Sequence, residues 1–294
     1  MKRHRASTRT NWRLGLAGVA LALMSLGPAA RAMPSGPYAG FFVHPAGGAR
    51  VVAHRGGAKL APENTLAAYR AAVERGDRAA ECDVHLSADG ELVVIHDATL
   101  ARTTDGHGAV ARTPWSKLRR LDAGAWKNLR FRGEPLPRLD EVLDLVRGKM
   151  VLFIELKRGE GLVEKVAEAI DARPEQREQL IIISFDSKMI SEASKRLPDI
   201  PRMLLMRSAA GSNEKIVRRA RRKGATMLGV HSGALSAGLI REAHRKRLPV
   251  YAFTVNSPRR AEQLVELGVD GIITDAPPTI DASLVAGAPS TGPG

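Results

Sequence analysis

The sequence predicts an α/β fold in which a parallel sheet closes into a single barrel with helices outside it, and three observations predict it. Eight short apolar, β-prone runs alternate with segments of helical period in near-regular order. The stretch after Ala49 holds roughly 250 residues, long for an ordinary domain and typical of one α/β barrel. The competing fold, an open doubly wound sheet, has a GxGxxG turn after its first strand, whereas here that strand ends in His54-Arg55-Gly56-Gly57.

Strands are expected at Val51–His54, Ala79–Val84, Met150–Glu155, Leu180–Ser184, Met203–Met206, Met227–Val230, Val250–Thr254 and Gly271–Thr274. Helical patterns fall between them, among them Thr65–Arg75, Leu162–Ala172, Asn213–Lys223, Ser236–Arg247 and Arg259–Leu267. Together they place the barrel over residues 50–283. One stretch breaks the rhythm. Residues 97–137 contain turn residues, two tryptophans and no long helical pattern, and are entered through an extra strand, Leu92–His96. They read as an insertion over the barrel mouth, where long excursions tend to be functional.

The ends of the chain read differently. Lys2, Arg3, Arg5, Arg9 and Arg13 precede an apolar run from Leu14 to Leu26, and small residues follow up to Ala30-Arg31-Ala32. That layout is a secretory signal peptide over residues 1–32, and the apolar run is short for a spanning helix, which needs roughly 20 residues. Export to the periplasm or the medium is the expectation. Residues 33–49 read as a Pro- and Gly-rich lead-in, and residues 284–294 as a loose tail. Removing residues 1–32 takes six of the 45 Lys and Arg and none of the 31 Asp and Glu, which lowers the net charge from +14 to +8. The remaining excess favours anionic substrates and would support weak association with anionic membrane surfaces. It does not suggest nucleic acid, because the basic runs lie on helical patterns without interleaved aromatics. The lone Cys82 excludes an internal disulfide.

Chemically useful residues gather at the C-terminal ends of the predicted strands, the catalytic face of a barrel: His54-Arg55, Glu81 with Asp83, His96-Asp97, Glu155 with Lys157, and Ser184-Phe185. The alternation of a strand turns Glu81 and Asp83 to one face and Cys82 to the other. Two such carboxylates repel unless a cation or proton holds them, and Glu155 on the neighbouring strand can add a third oxygen ligand. Three carboxylates without cysteine favour a hard divalent cation, Ca²⁺ or Mg²⁺. A salt-bridge network with Arg55 and Lys157 is the alternative for any one acid. It accounts less well for three acids beside two histidines. His54 and His96 can share acid and base work in phosphodiester hydrolysis, in either assignment. Arg55 offers a planar fork of donors to phosphate oxygens and Lys157 a point charge. His107 and His244 read as structural or surface residues; His85 and His231 each follow a strand and stay open. Pro62-Glu63-Asn64-Thr65 reads as a helix cap from which Glu63 or Asn64 can also face the site.

These residues resemble the glycerophosphodiester phosphodiesterase family. The matching elements are His54-Arg55-Gly56, Pro62-Glu63-Asn64-Thr65, Glu81-x-Asp83-Val84, His96-Asp97, Leu136-Pro137-x-Leu139, Glu155-x-Lys157, Ser184-Phe185 and Gly268 to Asp275, in order from about Val51 to Pro277. The resemblance implies a TIM-type (β/α)8 barrel with a small inserted subdomain after the second strand. It further implies a divalent cation held by Glu81, Asp83 and Glu155, acid–base work by His54 and His96, and phosphate contacts from Arg55 and Lys157. The implied reaction is hydrolysis of small-molecule glycerophosphodiesters to glycerol 3-phosphate and an alcohol. Many relatives carry Trp before the Thr-Val-Asn segment where this chain has Phe253, which keeps a ring for substrate contact but loses the indole donor. Lysophospholipase D or sphingomyelinase D-like chemistry on lipids is the alternative activity, and a non-catalytic phosphate-binding barrel the alternative class.

Overall fold

The computed structural model describes residues 49–286. The expected leader, nearly all of the lead-in and the last eight residues of the tail lie outside that range. Eight parallel strands, β1 (Arg50–Ala53), β2 (Ala79–Leu86), β4 (Val151–Leu156), β5 (Leu180–Ser184), β6 (Arg202–Met206), β7 (Met227–His231), β8 (Val250–Phe253) and β9 (Gly271–Thr274), follow one another around a closed sheet. Closure is made by β1, which pairs along its length with β9 and meets β2 at Ala53 opposite Ala80. The result is a TIM-type barrel. The extra strand β3 (Leu92–Val94) folds back antiparallel on the end of β2, with Val84 opposite Val94.

Strand alternation explains both cores. Val52, Ala79, Val151, Phe153, Ile181, Ile183, Met203, Leu205, Met227 and Tyr251 fill the barrel interior. The intervening Ala80, Cys82, Val84, Leu152, Ile154 and Ile182 face outward and pack under helices α1 (Leu66–Arg75), α3 (Leu139–Val146) and α4 (Leu162–Asp171). The second half of the outer shell is built the same way. There α6 (Asn213–Arg222), α7 (Ala237–Arg245), α8 (Pro258–Glu266) and α9 (Pro277–Ala286) cover Leu204, Leu228, Val230, Val250, Ala252 and Ile272. Helix α5 (Ser187–Arg196) links β5 to β6, and α9 extends past Leu284, where the sequence suggested a tail.

The insertion has a small core of its own, in which Val93, Ile95, Leu100, Val110, Leu118, Ala123 and Leu136 are buried together. Its helical content is one turn, α2 (Trp115–Leu118), and two short 3-10 turns. It is tied to the start of the barrel by Lys127 Nζ on the Ala58 carbonyl at 2.7 Å and by the Ala67 amide on Glu134 at 2.8 Å. Among the described residues no helix is long and apolar enough to cross a membrane.

The barrel interior is filled to contact at one glycine. A Cβ on Gly271 would lie 2.1 Å from the ring of the fully buried Tyr251. Overpacking of that kind costs about 1–3 kcal/mol. Gly271→Ala is therefore expected to lower the urea midpoint of unfolding by the corresponding amount; an unchanged midpoint would show that the Tyr251 ring is free to move aside.

Candidate active site

The turn after β1 builds the first wall of the site. Arg55, Gly56 and Gly57 all have positive φ, at 52°, 81° and 99°. Glycine adopts that conformation freely, and a Cβ on Gly56 would also stand 2.8 Å from that of Ala68. The tight left-handed path aims the Arg55 amide at Glu81 Oε2, 2.9 Å away, and sends its guanidinium to Glu63 at 2.7 Å and to Asp83 at 3.3 Å. Asn64, also left-handed at φ 59°, donates from Nδ2 to Asp83 Oδ2 at 2.7 Å and accepts from the Asp83 amide at 3.2 Å. Thr65 caps α1 through the Ala68 amide. Every residue of the Pro62–Thr65 segment is thus engaged in holding the strand-end acids or starting the helix that backs them.

Glu81, Asp83 and Glu155 meet as the alternation requires, each with an oxygen within 4.8 Å of the others, and all three are buried. Register brings the third acid in, because Asp83 lies directly opposite Glu155 on the adjacent strand. Lys157 reaches between them, with Nζ 2.6 Å from Asp83 and 2.5 Å from Glu155. Burial opposes ionisation of Asp83, but Lys157 and Arg55 outweigh it and hold that carboxyl well below the usual carboxylate range. Glu81 has less support. Burial, then the neighbouring Asp83 and Glu155, push it well above its ordinary value. Its Oε1 is buried without a hydrogen-bond partner among the described residues. Burial and Asp83 likewise push Glu155 up to about 7. A buried oxygen without a partner, in a set of three hard oxygen donors, fits a divalent cation of the Ca²⁺ or Mg²⁺ kind.

Each histidine is backed by an aspartate. His54 Nδ1 lies 2.6 Å from Asp275 Oδ1, and His96 Nδ1 lies 2.6 Å from Asp97 Oδ1. In both, the carboxylate fixes the ring and leaves Nε2 for a proton transfer. His54 Nε2 stands 3.9 Å from Glu81. The two aspartates are themselves held differently, Asp275 by the Asn256 amide at 2.6 Å and Asp97 by Arg102 at 2.6 Å. Arg102 and His96 hold Asp97 down at about 2, and His54 holds Asp275 below its ordinary value against the effect of burial. Burial lowers His96, partly offset by Asp83.

The structure gathers His54, Arg55, Glu81, His96, Glu155 and Phe253 around one cleft that is open to solvent. Glu63, expected to touch substrate, is engaged by Arg55 and by both terminal nitrogens of Arg102, at 2.9 and 2.7 Å, and like Asp83 and Lys157 it stands behind the residues that line the cleft. Three further residues belong to the site that the sequence reading gave no role: Asp275 behind His54, Arg102 behind Asp97, and Arg207 on the wall of the cleft. Asp275 had a signal, an acid directly after the last strand on the face that carries His54. Arg102 and Arg207 had none beyond their charge. The remaining histidines have local duties. His85 Nε2 meets the His96 carbonyl at 3.1 Å, His244 pairs with Asp270 at 2.8 Å away from the cleft, and His231 and His107 are exposed.

The model of the glycerophosphoryl diester phosphodiesterase family matches residues 54–279. The chain is 36% identical over 235 residues to a glycerophosphodiester phosphodiesterase of Caldanaerobacter subterraneus, covering 78% of this chain and 95% of that one. Among solved structures, it is similar to an Oleispira antarctica phosphodiesterase in complex with the product sn-glycerol-3-phosphate, with a TM-score of 0.73, 31% identity and coverage of 81% and 97%. It is also similar to a glycerophosphodiester phosphodiesterase of Agrobacterium tumefaciens, with a TM-score of 0.71, 31% identity and coverage of 80% and 99%.

The raised value of Glu155 has a consequence for stability. Without a cation, the folded chain keeps on Glu155 a proton that the unfolded chain releases above its ordinary 4.5, so stability falls as pH rises from about 4.5 through about 7. The loss is on the order of 1–3 kcal/mol. A divalent cation favours the ionised acids and should flatten that slope. Melting temperatures between pH 4.5 and 8, with chelator and with Mg²⁺ or Ca²⁺, measure it. Identical slopes in both would count against these acids as the cation's seat.

Proposed function

The chain belongs to the glycerophosphoryl diester phosphodiesterase family, a family of phosphoric diester hydrolases, and from that premise we propose that it hydrolyses glycerophosphodiesters to glycerol 3-phosphate and an alcohol. The observation that carries the reading is the pair of aspartate-backed histidines beside the buried trio of acids. Glu81, Asp83 and Glu155 would hold a divalent cation, Ca²⁺ or Mg²⁺, whose charge stabilises the phosphoryl oxygens as charge grows on them.

The chain's own groups divide the rest. Arg55 and Lys157 bind the non-bridging oxygens, Arg55 through its fork and Lys157 as a charge that can turn from the acids towards the phosphate. Of His54 and His96, one takes the proton of the attacking oxygen, either water or the substrate's own glycerol hydroxyl with water then opening the cyclic phosphate, and the other donates a proton to the departing alkoxide, so that one water is consumed for each P–O bond broken. Asp275 and Asp97 hold each ring with Nε2 towards the cleft and stabilise the imidazolium as it forms. Glu63 and Arg102 act behind them, Glu63 by fixing Arg55 and Arg102 by fixing Asp97. Export from the cytoplasm, as the leader suggests, would place this activity where deacylated phospholipids arise outside the cell.

Turnover of glycerophosphoglycerol by the purified chain, with release of glycerol 3-phosphate, is the direct test. Activity should require Mg²⁺ or Ca²⁺ and disappear with chelator. His54→Ala and His96→Ala should each lower kcat by about 10²–10⁴-fold. Product formed equally fast in chelator and by His54→Ala would refute the reading.

A further inference from the structure

The cleft has two unlike halves. In the ring of eight strands β6 stands opposite β1, so Arg207, which directly follows β6, faces His54 and Arg55 across the mouth. The acids that line the cleft, Glu81 and Glu155, both belong to the catalytic half. On the far side the lining is Phe185, Leu205, Arg207 and Phe253. Phe185 and Phe253 meet edge to face at 5.5 Å between centroids. The Arg207 guanidinium lies 4.4 Å over the Phe185 ring. It is exposed, and among the described residues no carboxylate pairs with it.

Two conclusions follow for a group bound there. A cationic alcohol such as choline would normally be held by aromatic faces and nearby acids. Here the face of Phe185 is already covered by a guanidinium, and no acid lines this half. A second phosphate is the group that suits it: stacking on Phe185 fixes the plane of the guanidinium and leaves its edge donors free for a bidentate contact.

We propose that Arg207 and Phe185 form a second phosphate subsite, so that the enzyme prefers glycerophosphodiesters whose alcohol half carries a further phosphate over those carrying a quaternary amine. This rests on the function proposed above and concerns the same cleft. Phe185 acts by orienting Arg207, and the charge of Arg207 makes the selection.

The test compares kcat/KM of the wild-type chain and of Arg207→Gln on bis(glycerophospho)glycerol, glycerophosphoglycerol and glycerophosphocholine. The wild type should favour the first, and Arg207→Gln should lose roughly five- to twentyfold on it alone, a modest factor because the guanidinium is exposed. Glycerophosphoglycerol should change by less than about twofold, and Arg207→Glu should improve glycerophosphocholine relative to the other two. An equal loss on all three substrates would place Arg207 at the scissile phosphate and overturn the proposal, as would an unchanged rate on bis(glycerophospho)glycerol. Should the wild type cleave none of them, the hydrolase reading has failed separately. Calorimetric binding of bis(glycerophospho)glycerol then decides the subsite: weaker binding by Arg207→Gln supports it, and equal binding overturns it.

Discussion

The carboxylates of Glu81, Asp83 and Glu155 are brought together by backbone geometry and driven apart by charge. Period-2 alternation sets the first two on one face of β2, and strand register sets the third opposite Asp83. At about 4 Å and an effective dielectric near 20, each like-charged pair would cost about 4 kcal/mol. Arg55 and Lys157 offset most of this, but they are two cations against three acids. Asp83 receives both of them, and Glu81 receives the Arg55 amide and a distant histidine. The uncompensated charge therefore rests on the acid with the buried, unpartnered oxygen, and a divalent cation is the simplest group that removes it. The salt-bridge network and the cation seat, which read as alternatives in the sequence, would then be two uses of the same residues.

Holding that cluster requires backbone that few residues adopt. Arg55 and Asn64 both sit in the left-handed region, where a non-glycine residue costs of order 1–3 kcal/mol. Asn tolerates it better than most, and its amide returns two hydrogen bonds to Asp83. Tyr69, fully buried on α1, sets its hydroxyl 3.0 Å from Asn64 Oδ1 and so ties the helix to the same point. The strain is local to the chain that positions the acids, as expected where geometry is fixed in advance of substrate.

The barrel was legible because its strands are buried on both faces. That burial writes each one as a short apolar run, and the eight runs lie within a residue or two of the observed strands. The insertion was legible only as a break in rhythm. Its core draws single residues such as Leu100, Leu118 and Leu136 from irregular turns, which leave no period to read. In the site, residues at strand ends could be found from position alone, and so could the three acids. Pairings at the closure of the barrel could not: Asp275 and His54 follow neighbouring strands but are 221 residues apart, and nothing local in the sequence links them. The partners of Glu63 were hidden for the same reason. A carboxylate beside the site invites a substrate role, but its charge is consumed by Arg55 and Arg102, and Arg102 enters from the insertion.

The insertion is therefore more than a cover. By way of Arg102 it fixes Asp97, which orients His96, and it also closes the charge balance of Glu63, which fixes Arg55. One exposed side chain reaches two of the groups assigned to catalysis from outside the barrel wall. The groups on β1, β2, β4 and the segment after β9 are locked to one another by short polar contacts, so a change in any of them disturbs the rest. On the far side of the mouth, Phe185, Arg207 and Phe253 touch through ring faces and edges alone, and each stands on its own strand end. Contacts of that kind can be altered one at a time. On the function proposed here, a closed barrel would thus separate the part of the cleft held constant for the chemistry from the part free to vary with the alcohol.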